Sequence, residues 1–149
     1  MQFAVSEARI RPLFISIAVL SLAGGIVSAV SLQRHYAKSA TSYCDFSQSF
    51  NCDIVNRSAY SEIEGIPVAG IGVAGYALLF LLSTFRRSRA ETPVQLLVAS
   101  VLGLGFAMYL TYVEAYQLKT WCILCLISQV LIFLITVLSA IAKYRSTSA

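Results

Sequence analysis

Charge is what this sequence has least of. Of its 149 residues, 12% are Asp, Glu, Lys or Arg and 58% are hydrophobic, whereas a soluble domain carries about twice that charged fraction. The charges are also clustered, so long stretches have none. There is no internal repeat, no low-complexity segment and no polar block large enough to form a soluble appendage. The formal net charge of +4 is spread over short clusters and builds no basic face of the kind that holds nucleic acid. No nucleic-acid partner is expected.

What fills the space is four runs without a single Asp, Glu, Lys, Arg or His, at 12–32, 66–85, 93–113 and 121–142. An apolar run of roughly 18 residues or more can cross a bilayer. With no water in the hydrocarbon to satisfy the backbone, each run must be a helix. Four such runs leave too little polar surface to cover them in a soluble fold. The expectation is an all-α integral membrane protein, a single domain over 1–149 built as a four-transmembrane-helix bundle in lipid. The first run exceeds the ~7–15 residue core of a signal peptide, and no small-x-small cleavage site follows it. It is expected to be retained.

Lys and Arg are unevenly placed around these runs. Arg9 and Arg11 precede the first, Arg86, Arg87 and Arg89 join the second to the third, and Lys143 and Arg145 follow the fourth. Seven of the eleven basic residues thus lie at one end of the bundle. The segment 33–65 instead sets Arg34, Lys38 and Arg57 against Asp45, Asp53, Glu62 and Glu64. Because cytoplasmic loops carry the excess of Lys and Arg, both termini are expected in the cytoplasm. The loop 33–65 and the short turn 117–120 are expected outside. The pI near 9.0 then reports topology. A bacterial inner membrane with the active face towards the periplasm is the expected location, although an endoplasmic reticulum lumen fits the same charges.

Small residues pattern the helices: Gly24 and Gly25 in the first, Gly70, Gly72, Ala74 and Gly75 in the second, Gly103 and Gly105 in the third. Small residues let helix backbones approach closely in lipid; the alternative is that they leave room for a flat ligand. In the outside loop, Asn51 is placed to cap a short helix beginning at Cys52. Val55, Ala59 and Ile63 recur at helical spacing, which predicts an amphipathic turn or two on the membrane surface. Gly65 and Pro67 mark the start of the second span, and 146–149 is expected to be a frayed tail.

All four cysteines fall on the outside: Cys44 and Cys52 in YCDFSQSFNCD, Cys122 and Cys125 in WCILC at the outer mouth of the fourth helix. Oxidising compartments permit disulfides, so two pairs there point to disulfide chemistry. A zinc site is the competing use of four cysteines, but the loop pair lacks metal-knuckle spacing and the other pair sits in an apolar helix. No metal is expected. For Cys44 and Cys52 a structural loop staple is the plain alternative. Cys-x-x-Cys is different, because two intervening residues bring the sulfurs together on one helical turn. A helix N-terminus also favours a thiolate. Cys122, nearer that end, is expected to be the more exposed and exchange-ready, with Cys125 one turn deeper towards the hydrocarbon. A dithiol between water and lipid can pass electrons from a protein thiol to a lipid-soluble acceptor, of which quinone is the obvious one.

The sequence resembles the vitamin K epoxide reductase family. The matching features are Cys44 and Cys52 eight apart, Ser58 six after Cys52, and KTWCILC opening the last helix of a four-helix bundle; the resemblance covers nearly the whole chain. It implies that Cys122 and Cys125 are the active-site pair, with Cys125 next to the quinone ring. It also implies that Cys44 and Cys52 are a shuttle pair, in which Cys52 attacks Cys122 and Cys44 exchanges with a partner protein. Ser58 matches a polar position near the quinone, although a plain turn serine reads the same way. One departure is Gln129, where the eukaryotic enzymes of the family have tyrosine; this counts against epoxide reduction and warfarin-type inhibition without excluding them. Many bacterial relatives are instead similar in role to the membrane protein DsbB, oxidising a thioredoxin-fold partner. That partner is sometimes fused at the C-terminus, and here it is expected to act in trans.

The expected function is therefore a quinone-dependent thiol-disulfide oxidoreductase. It passes electrons from a thioredoxin-fold (DsbA-like) protein through two cysteine pairs to a ubiquinone, menaquinone or vitamin K type quinone, and so promotes disulfide formation. Three alternatives stand beside it: a vitamin K epoxide or quinone reductase running in the reducing direction, a true DsbB homologue, and a non-enzymatic four-helix protein with structural disulfides. A DsbB homologue would carry its Cys-x-x-Cys in the first outside loop.

Overall fold

The computed structural model describes residues 2–36 and 49–148. Four of its helices are long and apolar enough to cross a membrane. The first, α1, spans Gln2–Tyr36 with Pro12 inside it, so it starts well before the expected 12–32. A search for uncharged runs sees only the part that lipid requires. A helix continues into water wherever the flanking residues favour it, as Glu7, Ala8 and Arg9 do. For the same reason the last helix, α5, runs Ile123–Thr147, beyond the expected end at 142, and takes in Ser146 and Thr147 of the expected tail.

The other two long helices are α3, Val68–Phe85, and α4, Thr92–Tyr112. Between them the chain turns tightly, with the Thr92 hydroxyl donating to the Arg86 carbonyl. At its outer end α4 does not stop at the expected 113. It widens into one π-helical turn, Val113–Leu118, which ends at Lys119 in the left-handed region at φ 51°. The Thr120 N–H closes that turn on the Glu114 carbonyl at 3.2 Å. Such turns are rare and concentrate at functional sites.

The packing buries several serines and a few large apolar side chains and leaves many large apolar side chains exposed. α1 packs on α3 and α5, α4 packs on α5, and α3 touches α4 only lightly. On α1 the buried positions include Phe14, Ile17, Ser21, Ser28 and Ser31, while Ile15, Val19, Leu22 and Ile26 form an exposed stripe. In lipid an exposed leucine costs nothing, so close backbone approach takes over as the organising force. Gly24 shows it most directly, since a Cβ there would lie 2.2 Å from the Tyr76 ring. The apolar centre gathers Phe14, Ile17, Tyr76, Leu79, Leu96, Ile132 and Ile135 from all four helices.

The segment between α1 and α3 departs from the expected one or two amphipathic turns. Asn51 does cap a short helix, α2, at Cys52–Asn56, its Oδ1 accepting the Ile54 N–H at 3.1 Å. The helix then breaks because both the N–H and the hydroxyl of Ser58 turn back to the Val55 carbonyl, a local bond that competes with helix continuation. A 3₁₀ turn at Ala59–Ser61 follows. After it comes a hairpin of β1, Glu62–Ile63, and β2, Ile66–Pro67, with Ile63 opposite Ile66. Glu64 and Gly65, at φ 53° and 83°, make the two-residue turn with both central φ values positive that suits tight hairpins. Ile63 is exposed, and Ile66 and Pro67 belong to the hairpin rather than to the second span.

Candidate active site

The site is organised around the start of α5. Cys122 occupies the N-cap position in extended conformation, φ −106° and ψ 118°, and its carbonyl accepts the Leu126 N–H at 3.0 Å. Cys125 follows on the first turn of the helix. Both are free thiols.

Among the described residues, one β-bridge brings the segment between α1 and α3 to them. Phe50 pairs in parallel with Trp121: the Trp121 N–H donates to the Ser49 carbonyl at 2.8 Å and the Asn51 N–H to the Trp121 carbonyl at 3.1 Å. The residues that follow the bridge on either strand are Cys52 and Cys122. They lie in one small buried cluster with Val55, flanked by Leu118, Leu124 and Cys125, and neither has any exposed surface. Cys52 is disulfide-bonded. Cys44, expected as the outer member of the shuttle pair, lies outside the described residues.

Cys122 is therefore not the more exposed of its pair, as its place at the helix end suggests. It is fully covered, while Cys125 is half-buried and lines a cavity. The hydrogen bond with Cys125 holds the Cys122 thiol below its ordinary range, against the opposing effects of burial and the nearby Glu114 carboxyl.

Glu114, on the π-helical turn, is a site residue that a search for uncharged runs passes over, because it falls one position beyond the third run. It is 2% exposed. Its Oε2 accepts the Cys122 N–H at 3.0 Å, and its side chain also interacts by hydrogen bonding with Cys125. A lone acidic residue at the membrane end of a span, eight positions before Cys122, was the available signal. His35, at the end of α1, is a second residue the sequence left unmarked. Its Nδ1 lies 2.5 Å from the Asn56 carbonyl and its Nε2 2.9 Å from Glu62 Oε1, so it ties the outside segment to α1.

Beneath these groups lies a cavity of about 350 Å³ among α1, α3, α4 and α5. Its wall is mainly apolar, with Phe106, Leu102 and Val27, and carries a few polar groups, among them Ser58, Ser128 and Tyr76. The Tyr76 hydroxyl lies 2.8 Å from both the carbonyl and the hydroxyl oxygen of Ser128. Ser58 and Cys125 thus share one cavity. Gly72, Gly75 and Gly103 also line it, so the small residues serve both close packing, as at Gly24, and open space. Gln129 is held by Thr111 and by Met108 of α4. Among the described residues no group of three or more His, Cys, Asp or Glu side chains is placed to hold a metal.

Membrane-length helices around a cavity, with one thiol of a Cys-x-x-Cys pair on its wall and a disulfide-bonded cysteine packed against the other, define a membrane-embedded redox protein. The profile of the vitamin K epoxide reductase family matches residues 15–140, and the chain belongs to this family. Membership supports a membrane redox function, in a family that is quinone-associated in general. A comparison with curated proteins gave no match.

Proposed function

We propose that the protein is a quinone-dependent thiol-disulfide oxidoreductase that oxidises a thioredoxin-fold partner acting in trans on the non-cytoplasmic side. The observation that carries this reading is the stacking of functions along one line: Cys52 buried against Cys122, and Cys125 next in the helix facing the cavity. Electrons entering at an outer pair have one short path inward.

In this reading Cys44 and Cys52 form the shuttle disulfide. A partner thiolate attacks Cys44, releasing Cys52 as thiolate. Cys52 then attacks the Cys122 sulfur of an oxidised Cys122–Cys125 pair, and Cys125 leaves as thiolate on the cavity wall. The partner's second thiol frees Cys44. Cys44 re-forms the disulfide with Cys52 and frees Cys122, and the pair ends as a dithiol carrying the partner's two protons. Each exchange needs an attacking thiolate and a reachable sulfur, and the β-bridge at Trp121 supplies the reach. The cavity's volume, apolar wall and sparse polar groups suit a small flat ligand, with Ser58, Tyr76 and Ser128 available to hold polar edges. A quinone bound there supplies a two-electron acceptor.

The test is quinone reduction by purified protein with a reduced thioredoxin-fold donor, comparing wild type with Cys44→Ala, Cys52→Ala, Cys122→Ala and Cys125→Ala. The expected result is loss of partner-driven turnover in all four, with small-thiol turnover kept in the two loop variants. Normal turnover in Cys125→Ala would refute the assignment.

A further inference from the structure

The reduced pair must lose two protons as well as two electrons, and the four cysteines include no base to receive them. Among the described residues, Glu114 is the titratable group that stands against both members of the pair. Its carboxyl is almost fully buried, it lines the same cavity as Cys125, and its contacts are to the Cys122 N–H and to the Cys125 side chain. Among the described residues, the groups facing it are Cys122, at the N-cap of α5, and Cys125, on its first turn. Cys52 of α2 packs on Cys122, and His35 of α1 shares the cavity wall. Burying a carboxylate is costly, and a plain helix cap needs only a neutral acceptor.

We propose that Glu114 is the catalytic proton acceptor of the Cys122–Cys125 pair, a role that deepens the quinone-linked reading and rests on it for its physiological acceptor. The Cys125 S–H bond breaks and its proton passes to the Glu114 carboxylate, leaving the electron pair on sulfur. As the Cys122–Cys125 bond forms, two electrons leave to the acceptor. The two protons that complete reduction come from Glu114 and from the Cys122 thiol. Glu114 ends as a carboxylate, so dithiol plus quinone gives disulfide plus quinol with nothing left over.

Glu114→Gln separates this role from a structural or purely electrostatic one. The amide oxygen still accepts the Cys122 N–H but cannot take a proton. It also removes a negative charge that raises the Cys122 thiol, so Cys122 alkylation should begin at lower pH in the variant. An electrostatic role therefore predicts faster oxidation of the pair, and a base predicts slower. The experiment follows oxidation of the reduced pair over a pH series, once with a soluble quinone and once, free of quinone, with the azo oxidant diamide. Wild type, Glu114→Gln and Glu114→Asp are compared, with thermal melts to confirm folding.

The expected result is a loss of about a hundredfold in Glu114→Gln with either oxidant, the usual scale for general-base catalysis, and partial recovery in Glu114→Asp. Unchanged or faster oxidation by diamide in Glu114→Gln would overturn the proposal whatever quinone does. Failure of wild type to reduce quinone, with the diamide difference intact, would overturn the quinone reading and leave Glu114 as the base.

Discussion

Cys122 carries opposing influences within a few ångströms. The hydrogen bond with Cys125 favours its thiolate most, while burial and the Glu114 carboxyl oppose it; the balance lies below the ordinary thiol range. A lowered thiol value means that thiolate is already present at a pH where a free cysteine is protonated. Removing the Cys125 sulfur removes the leading favourable contact, so the Cys122 titration should move to higher pH in Cys125→Ala. Its alkylation at neutral pH should slow accordingly. The pH dependence of Cys122 alkylation, read by mass spectrometry, checks this. An unmoved profile would show that the helix N-terminus alone sets the thiol.

At the scale of elements, the close approach of α1 and α3 shapes the cavity. Gly24→Ala would place a methyl group 2.2 Å from the Tyr76 ring, which forces the ring to move. Overpacking of this kind costs about 1–3 kcal/mol, so a lowered Tm is expected. Tyr76 is also tied to Ser128 and lines the cavity, so weaker binding of the proposed quinone should accompany the loss. Tyr76→Phe gives the comparison, removing the hydroxyl bonds at about 0.5–1.5 kcal/mol without displacing the ring. A drop in Tm for Gly24→Ala smaller than for Tyr76→Phe would contradict the packing account. The long helices were legible because a bilayer forbids charge, so their uncharged runs stand out. The outside segment was not. Val55, Ala59 and Ile63 have helical spacing, but the local bonding of Ser58 to Val55 broke the helix. The burial of Cys122 was equally hidden, because it depends on a bridge between Phe50 and Trp121, partners distant in sequence. Glu114 escaped notice for the opposite reason: a run defined by lack of charge ends where the informative charge begins.

At the scale of the whole molecule, the chemistry depends on which way the bundle sits. Helices α1, α3, α4 and α5 bring Arg9, Arg11, Arg86, Arg87, Arg89, Lys143 and Arg145 to the end opposite the cysteine site, and such an excess marks the cytoplasmic side. On the proposed orientation the site faces a compartment where disulfides persist. In a variant whose native cysteines are replaced, a cysteine at the exposed position of Lys119 should react with a membrane-impermeant maleimide on intact cells or spheroplasts. A cysteine at the exposed position of Arg87 should react only after permeabilisation. Both positions are solvent-accessible at their helix ends, so the contrast reports sidedness and not burial. The reversed pattern would put the pair in a reducing compartment. There glutathione and thioredoxin keep thiols reduced, the proposed shuttle disulfide would not persist, and the proposed oxidation of a thioredoxin-fold partner would be overturned.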